Sequence, residues 1–148
     1  EATTGREPIE HEVRLGLCGI PPIVPALCDF LEQHGGLVVY NETPRQFALP
    51  APASSLAEAY TRYTYPYGVQ PRLVDIQKQI EQRELDGPIH YVQSFCHRRI
   101  EDRIVRSTVG VPVLTIEADS PGPLSGQLKT RLEAFVQMLA ARKRGRLL

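Results

Sequence analysis

A chain of 148 residues is long enough for one domain that buries roughly 68–70% of its unfolded surface, so no covalent staple is required. Seventeen basic residues balance seventeen acidic ones, which argues against the extended positive field of a nucleic-acid binder. No apolar run approaches the ~18–20 residues of a membrane span, so neither nucleic acid nor membrane is an expected partner.

Three cysteines, Cys18, Cys28 and Cys96, are odd in number and widely spaced. That pattern fits neither a disulfide framework nor a self-contained zinc site, and it points to a reducing, cytoplasmic setting. The opening residues lack the apolar core of a signal peptide. Residues 1–11 read as a linker from a missing upstream domain, and residues 12–148 as a single α/β domain. The basic stretch Arg142-Lys143-Arg144-Gly145-Arg146 suits the solvated carboxyl end of a last helix.

Along the chain, Val13 to Ile20 is an apolar-rich run ended by Pro21-Pro22, the pattern of a buried parallel strand. Ile23, Ala26, Leu27, Phe30 and Leu31 then recur at helical spacing, and Gly35-Gly36 supplies a stop. Leu37 to Tyr40 is the second strand. The next stretch, Asn41 to Ser55, holds three prolines and no clear period, and reads as a long loop.

Ser55 with Glu58 makes a capping-box pattern for a short helix that must end near Tyr65, before Pro66. A further helix is expected after Pro71, with Leu73, Ile76 and Ile80 inward and Asp75, Lys78, Gln79 and Arg83 in water. The third strand, Ile89 to Phe95, leads into Cys96 and a helix whose Ile100, Ile104 and Val105 meet the core. Val111 to Glu117 is the fourth strand, and Ser125 to about Arg144 the last helix. Four βα units with right-handed crossovers predict a flavodoxin-like, three-layer α/β domain. Its four-stranded parallel sheet has order 2-1-3-4, with helices on both faces.

In such a sheet, ligands gather at the carboxyl ends of the strands. Cys96 falls there, with two readings open: a chemically active thiol, or a small apolar filler beneath a helix. A cysteine–histidine nucleophile pair is disfavoured, because His90 lies six residues upstream in the same strand and His97 should point away. Arg45, Glu117 and Asp119 follow strands two and four. The segment from Tyr60 to Gly68 packs four of the six tyrosines, Tyr63, Tyr65 and Tyr67 among them, and is either an interface or a self-packed corner. No Gly-rich phosphate loop is present.

These segments, taken in order, resemble the carboxyl-terminal domain of the 2-hydroxyacyl-CoA dehydratase and benzoyl-CoA reductase subunit family, which includes the D-component of 2-hydroxyglutaryl-CoA dehydratase. The resemblance rests on Gly19-Ile20-Pro21-Pro22, Val39-Tyr40-Asn41-Glu42 with Arg45-Gln46-Phe47, and Tyr63 to Gly68. It continues through Asp86-Gly87 with His90 to Cys96, Ile100-Glu101-Asp102, Leu114 to Asp119 with Pro121-Gly122-Pro123, and Arg131 to Phe135.

The resemblance implies a 4Fe-4S cluster held by three protein cysteines between two α/β domains. Cys96 would be the one ligand from this domain, and Cys18 and Cys28 would be packing residues. It implies anaerobic metabolism: an ATP-dependent iron-sulfur activator delivers one electron, an acyl-CoA substrate passes through a ketyl radical anion, and hydroxide leaves. The implied partners are the missing upstream domain, a second dehydratase subunit, the activator and acyl-CoA. Gln93, Ser94, His90, His97, Arg45, Glu117, Asp119 and the tyrosines become candidate site-lining or interface residues. A double-cluster small-molecule reductase of the same family and a non-catalytic subunit-docking module are the alternatives. The isolated 148-residue chain is expected to be inactive, since one thiolate cannot hold a cluster.

Overall fold

Strands β1 (Val13–Gly19), β2 (Gly36–Asn41), β3 (Gly87–Val92) and β4 (Leu114–Glu117) form one all-parallel sheet in the order β2-β1-β3-β4. This is the arrangement the sequence predicts. The computed structural model describes residues 12–49, 52–63 and 68–145. The expected linker, 1–11, and Tyr65 and Tyr67 lie outside the described residues.

Alternation along β1 divides the core. Val13, Leu15 and Leu17 pack with α1 (Leu27–Gln33) and α6 (Gly126–Gly145) through Leu27, Leu31, Leu132, Phe135, Val136 and Leu139. On the other face Cys18 and Tyr40 pack with Leu73, Ile76 and Ile80 of α4 (Val69–Gln82) and Val105 of α5 (His97–Thr108). Period-two strands and helical stripes thus meet in three layers. Each fully buried aliphatic side chain in these layers contributes roughly 1.5–3 kcal/mol relative to exposure.

Several details depart from the sequence expectation, beginning with the strands: β3 ends at Val92, short of Phe95, and β4 begins at Leu114 rather than Val111. The presumed loop after β2 contains a helix, α2 (Glu42–Phe47), whose inward side is polar: Glu42, Thr43 and Gln46 are buried. Pro44 sits in its first turn, where a missing N–H costs nothing. Helix α3 (Leu56–Thr61) ends earlier than Tyr65, and its cap differs from a full box. Ser55 Oγ accepts from the Glu58 amide, whereas the Glu58 carboxylate takes the amide and hydroxyl of Ser54.

Helix α4 begins at Val69, ahead of Pro71, and its Gln79 is buried while Asp75 is ion-paired at 2.5 Å with Arg45. Finally, α5 is rotated from expectation. Ile100 and Ile104 face solvent, and Arg98, Asp102 and Val105 face inward. Arg98 and Asp102 can occupy that stripe because carboxylate and histidine partners meet them there.

Candidate functional site

The connection from β1 leads to β2 on one side, and that from β3 leads to β4 on the other. The crevice outside their carboxyl ends is therefore the switch point where ligands bind in such sheets. The two strand ends are in close contact. Gly19 has φ +95°, and a Cβ there would come within 2.2 Å of the Tyr91 carbonyl oxygen, so only glycine fits without movement. The Ile20 amide donates to that same carbonyl at 3.0 Å, and the Ile23 amide donates to Tyr91 Oη at 3.3 Å.

On the β2 side of the crevice lies a buried ionic chain. Glu42 Oε2 accepts from the Gly19 amide and from Arg72 Nη2, both at 2.8 Å, and Oε1 accepts from Arg72 Nε at 2.7 Å. Arg72, 0% exposed, also donates through Nη1 to Glu101 at 2.6 Å, and Glu101 accepts from Arg98 at 2.9 Å. Burial opposes the Arg72 charge, but the bonds and charge of Glu42, with the charge of Glu101, hold its pKa above the ordinary value. The chain ties the end of β1, α2, α4 and α5 into one unit.

On the β3–β4 side the groups are half-exposed. The Ser94 amide donates to Asp119 Oδ1 at 2.7 Å, and the Ser94 hydroxyl lies 2.7 Å from Asp119 Oδ2 and 2.9 Å from Glu117 Oε1. Arg99 Nε donates to the other Glu117 oxygen at 2.7 Å. These bonds pin both ends of the turn from Gln93 to Cys96. The Cys96 amide donates to the Gln93 carbonyl at 3.2 Å, and the Cys96 carbonyl accepts from the Arg99 amide at 2.9 Å. Cys96 is the residue that caps α5, with its thiol only partly covered and making no cap bond. Phe95 precedes it in the left-handed region, φ +63°, with its side chain wholly exposed.

Beneath this edge His90 is fully buried. Its Nδ1 lies 2.8 Å from Asp102 Oδ1, which also accepts from the Thr115 hydroxyl at 2.6 Å. Burial alone would raise the Asp102 pKa, but the His90 and Thr115 bonds bring it below the ordinary carboxylate value. His90 Nε2 and Tyr40 Oη are buried without a hydrogen-bond partner among the described residues. Burial, together with the Glu42 carboxylate, pushes the Cys18 thiol well above its ordinary pKa, and burial raises Cys28 as well. Neither thiol is poised as a thiolate.

Of the residues singled out from sequence, Gln93, Ser94, Cys96, Glu117 and Asp119 therefore share one edge of the crevice, and His97 is exposed in the first turn of α5. His90 lies inside, bonded to α5. Arg45 pairs with Asp75 and, with Tyr63, lines a small cleft between α2 and α3. Tyr63 packs on Phe47 at 5.7 Å between ring centroids. From sequence, Glu42, Glu101 and Asp102 entered only as parts of the resemblance motifs with no role assigned, and Arg72, Arg98 and Arg99 were not singled out. Besides those motifs, a further signal was the polar i, i+4 pair Arg98 and Asp102 beside an inward valine.

An iron–sulfur cluster needs several soft thiolates. Among the described residues no three His, Cys, Asp or Glu side chains are grouped to hold a metal. Cys18 is enclosed in the core and Cys28 belongs to α1. The residues present fit one corner of such a group, at Cys96, and not the whole of it.

Sheet order and crevice define a parallel α/β domain with a ligand edge at its switch point. The chain belongs to the family of the 2-hydroxyglutaryl-CoA dehydratase D-component, whose model matches residues 1–139. It is also similar to "Putative dehydratase subunit YjiM" of Escherichia coli (strain K12), at 32% identity over 73 residues, which is 46% of this chain and 19% of that relative's length. The matched stretch is thus a minor part of the relative. No helix among the described residues is long and apolar enough to cross a membrane.

Proposed function

We propose that this domain serves a 2-hydroxyacyl-CoA dehydratase, or a related acyl-CoA reductase, by giving Cys96 as its single ligand to a 4Fe-4S cluster completed by cysteines outside this chain. The observation that carries the reading is the half-exposed Cys96 on a pinned turn at the switch-point crevice, within a chain of the dehydratase D-component family. When bound, the cluster would supply one-electron chemistry at low potential, with acyl-CoA as substrate, an ATP-dependent activator as electron donor and a second subunit as partner.

The chain's own residues do the placing. Asp119 and Glu117 hold the Ser94 turn, and Arg99 ties the first turn of α5 to β4. Asp102 fastens α5 to β3 through His90, so the sulfur stands at the cap of a helix tied to the sheet. Anaerobic iron and sulfide reconstitution of the full-length protein tests the assignment. Cys96→Ala should lose most of the bound iron while Cys28→Ala keeps it, and unchanged iron in Cys96→Ala would sink the proposal.

A second reading, a subunit-docking role, is favoured by the exposed Phe47, Leu56 and Tyr60 around α2 and α3. Full partner binding by Phe47→Ser with Tyr60→Ser would count against it.

A further inference from the structure

The outer edge of the sheet carries a second feature that the cysteine does not use. Between α5, the edge strand β4 and α6 runs a cleft of about 240 Å³, open to solvent, lined by Arg99, Asp102, Arg106, Thr115, Glu117 and Arg131. It continues along α5 past Arg103, which shares a wall with Arg99, Asp102 and Arg106. Arg99, Arg103 and Arg106 recur at i, i+4 and i+7, so one face of α5 presents all three. Arg131 reaches the same cleft from α6 and bonds the Thr115 carbonyl at 2.7 Å.

The charges in the cleft do not cancel. Glu117 is engaged by Arg99 and Ser94, and Asp102 by His90 and Thr115. Arg103, Arg106 and Arg131 form no ion pair within 4 Å among the described residues, although the Arg106 charge helps hold the Asp102 carboxylate ionised, so the cleft keeps an excess of arginines over carboxylates in a chain whose total charge is zero. Guanidinium forks arriving from two helices suit a tetrahedral anion that several of them can grip at once, and a concave site favours a compact ligand over an extended chain.

We infer that this cleft binds the phosphate groups of a small molecule, as a phosphomonoester or a diphosphate. At 1.5 Å per residue, Arg103 and Arg106 lie ~10 and ~15 Å along α5 from Cys96. A ligand could therefore anchor its phosphates here while a long arm reaches the crevice. The nucleotide end of an acyl-CoA is the source that suits such a span; that choice of source rests on the proposed function, whereas phosphate binding itself does not. A free nucleotide is the other source.

Calorimetric titration of the full-length protein with inorganic pyrophosphate, ADP, coenzyme A and dephospho-coenzyme A separates these cases. Pyrophosphate should bind, and the exposed double variant Arg103→Gln with Arg106→Gln should weaken it about tenfold or more, since one lost charged hydrogen bond suffices for that. Lys78→Gln, at an exposed cation elsewhere, should leave it unchanged. Tighter binding of coenzyme A than of ADP or dephospho-coenzyme A supports the thioester source, and equal binding of ADP and coenzyme A supports a free nucleotide in the same site. Absence of binding by all four probes, or equal affinity in the double variant, would overturn the site. Iron content of Cys96→Ala is read independently, so either proposal can fail without the other.

Discussion

The two sides of the crevice use similar charged residues to opposite ends. On the β2 side, Glu42, Arg72, Glu101 and Arg98 are enclosed and linked to one another, and nothing in that chain is offered to a ligand. On the β3–β4 side, Ser94, Glu117, Asp119 and Arg99 are also linked, but they are half in water and surround a partly covered thiol. Buried, satisfied charges act as scaffold, since removing one strands another in a medium that cannot solvate it. Exposed ones cost little to rearrange and are available to bind.

The largest test of this contrast is Arg72→Met, which removes the cation shared by Glu42 and Glu101 and leaves the buried Glu42 carboxylate without its ion-pair partner, while Glu101 keeps Arg98. Chemical denaturation should show a loss of about 3–5 kcal/mol. A loss below about 1 kcal/mol would mean that the chain is no scaffold.

Asp102→Asn comes next, with an expected cost of about 1–3 kcal/mol at neutral pH from the weakened His90 and Thr115 bonds. Its pH dependence has a definite sign. The folded Asp102 titrates below its unfolded value of about 3.9, so its contribution is fully present above that pH and fades as acid protonates the folded form. The stability gap between wild type and variant should therefore close only below about pH 4, as read from unfolding midpoints across a pH series.

Thiol accessibility gives a smaller effect on the same contrast. Under native conditions, mass-resolved alkylation should modify Cys96 first, Cys28 more slowly because burial raises its pKa, and Cys18 last. The smallest effect is expected at Ile100, which is 81% exposed: Ile100→Ser should change stability by less than about 0.5 kcal/mol. A cost of 2 kcal/mol would restore the inward orientation that its helical spacing suggests.

That last residue also marks where sequence legibility ends. Strand order and the placing of Cys96 at a strand exit were readable because buried parallel strands are apolar and locally punctuated by glycine and proline. The rotation of α5 was not. Ile100 with Ile104 and Arg98 with Asp102 offer competing stripes, and the winning one is chosen by Glu101–Arg72 and Asp102–His90 contacts, whose partners lie on other elements. Helix α2 was hidden for a related reason, since its inward face is Glu42, Thr43 and Gln46, and no apolar period announces it. At the site, Ser94, Glu117 and Asp119 were legible by position alone, whereas the Arg99 tie was visible only in three dimensions.

The Arg131 contact with Thr115 has one further effect. β4 is an outer strand of four residues, and outer strands offer main-chain groups to any passing extended segment. With a guanidinium seated on one of its carbonyls and arginines on either side, that border repels cationic strands and leaves a short, interrupted template. The same arginines that line the cleft thus guard the sheet against growing into a neighbour, and neutralising them should raise the tendency of the protein to aggregate.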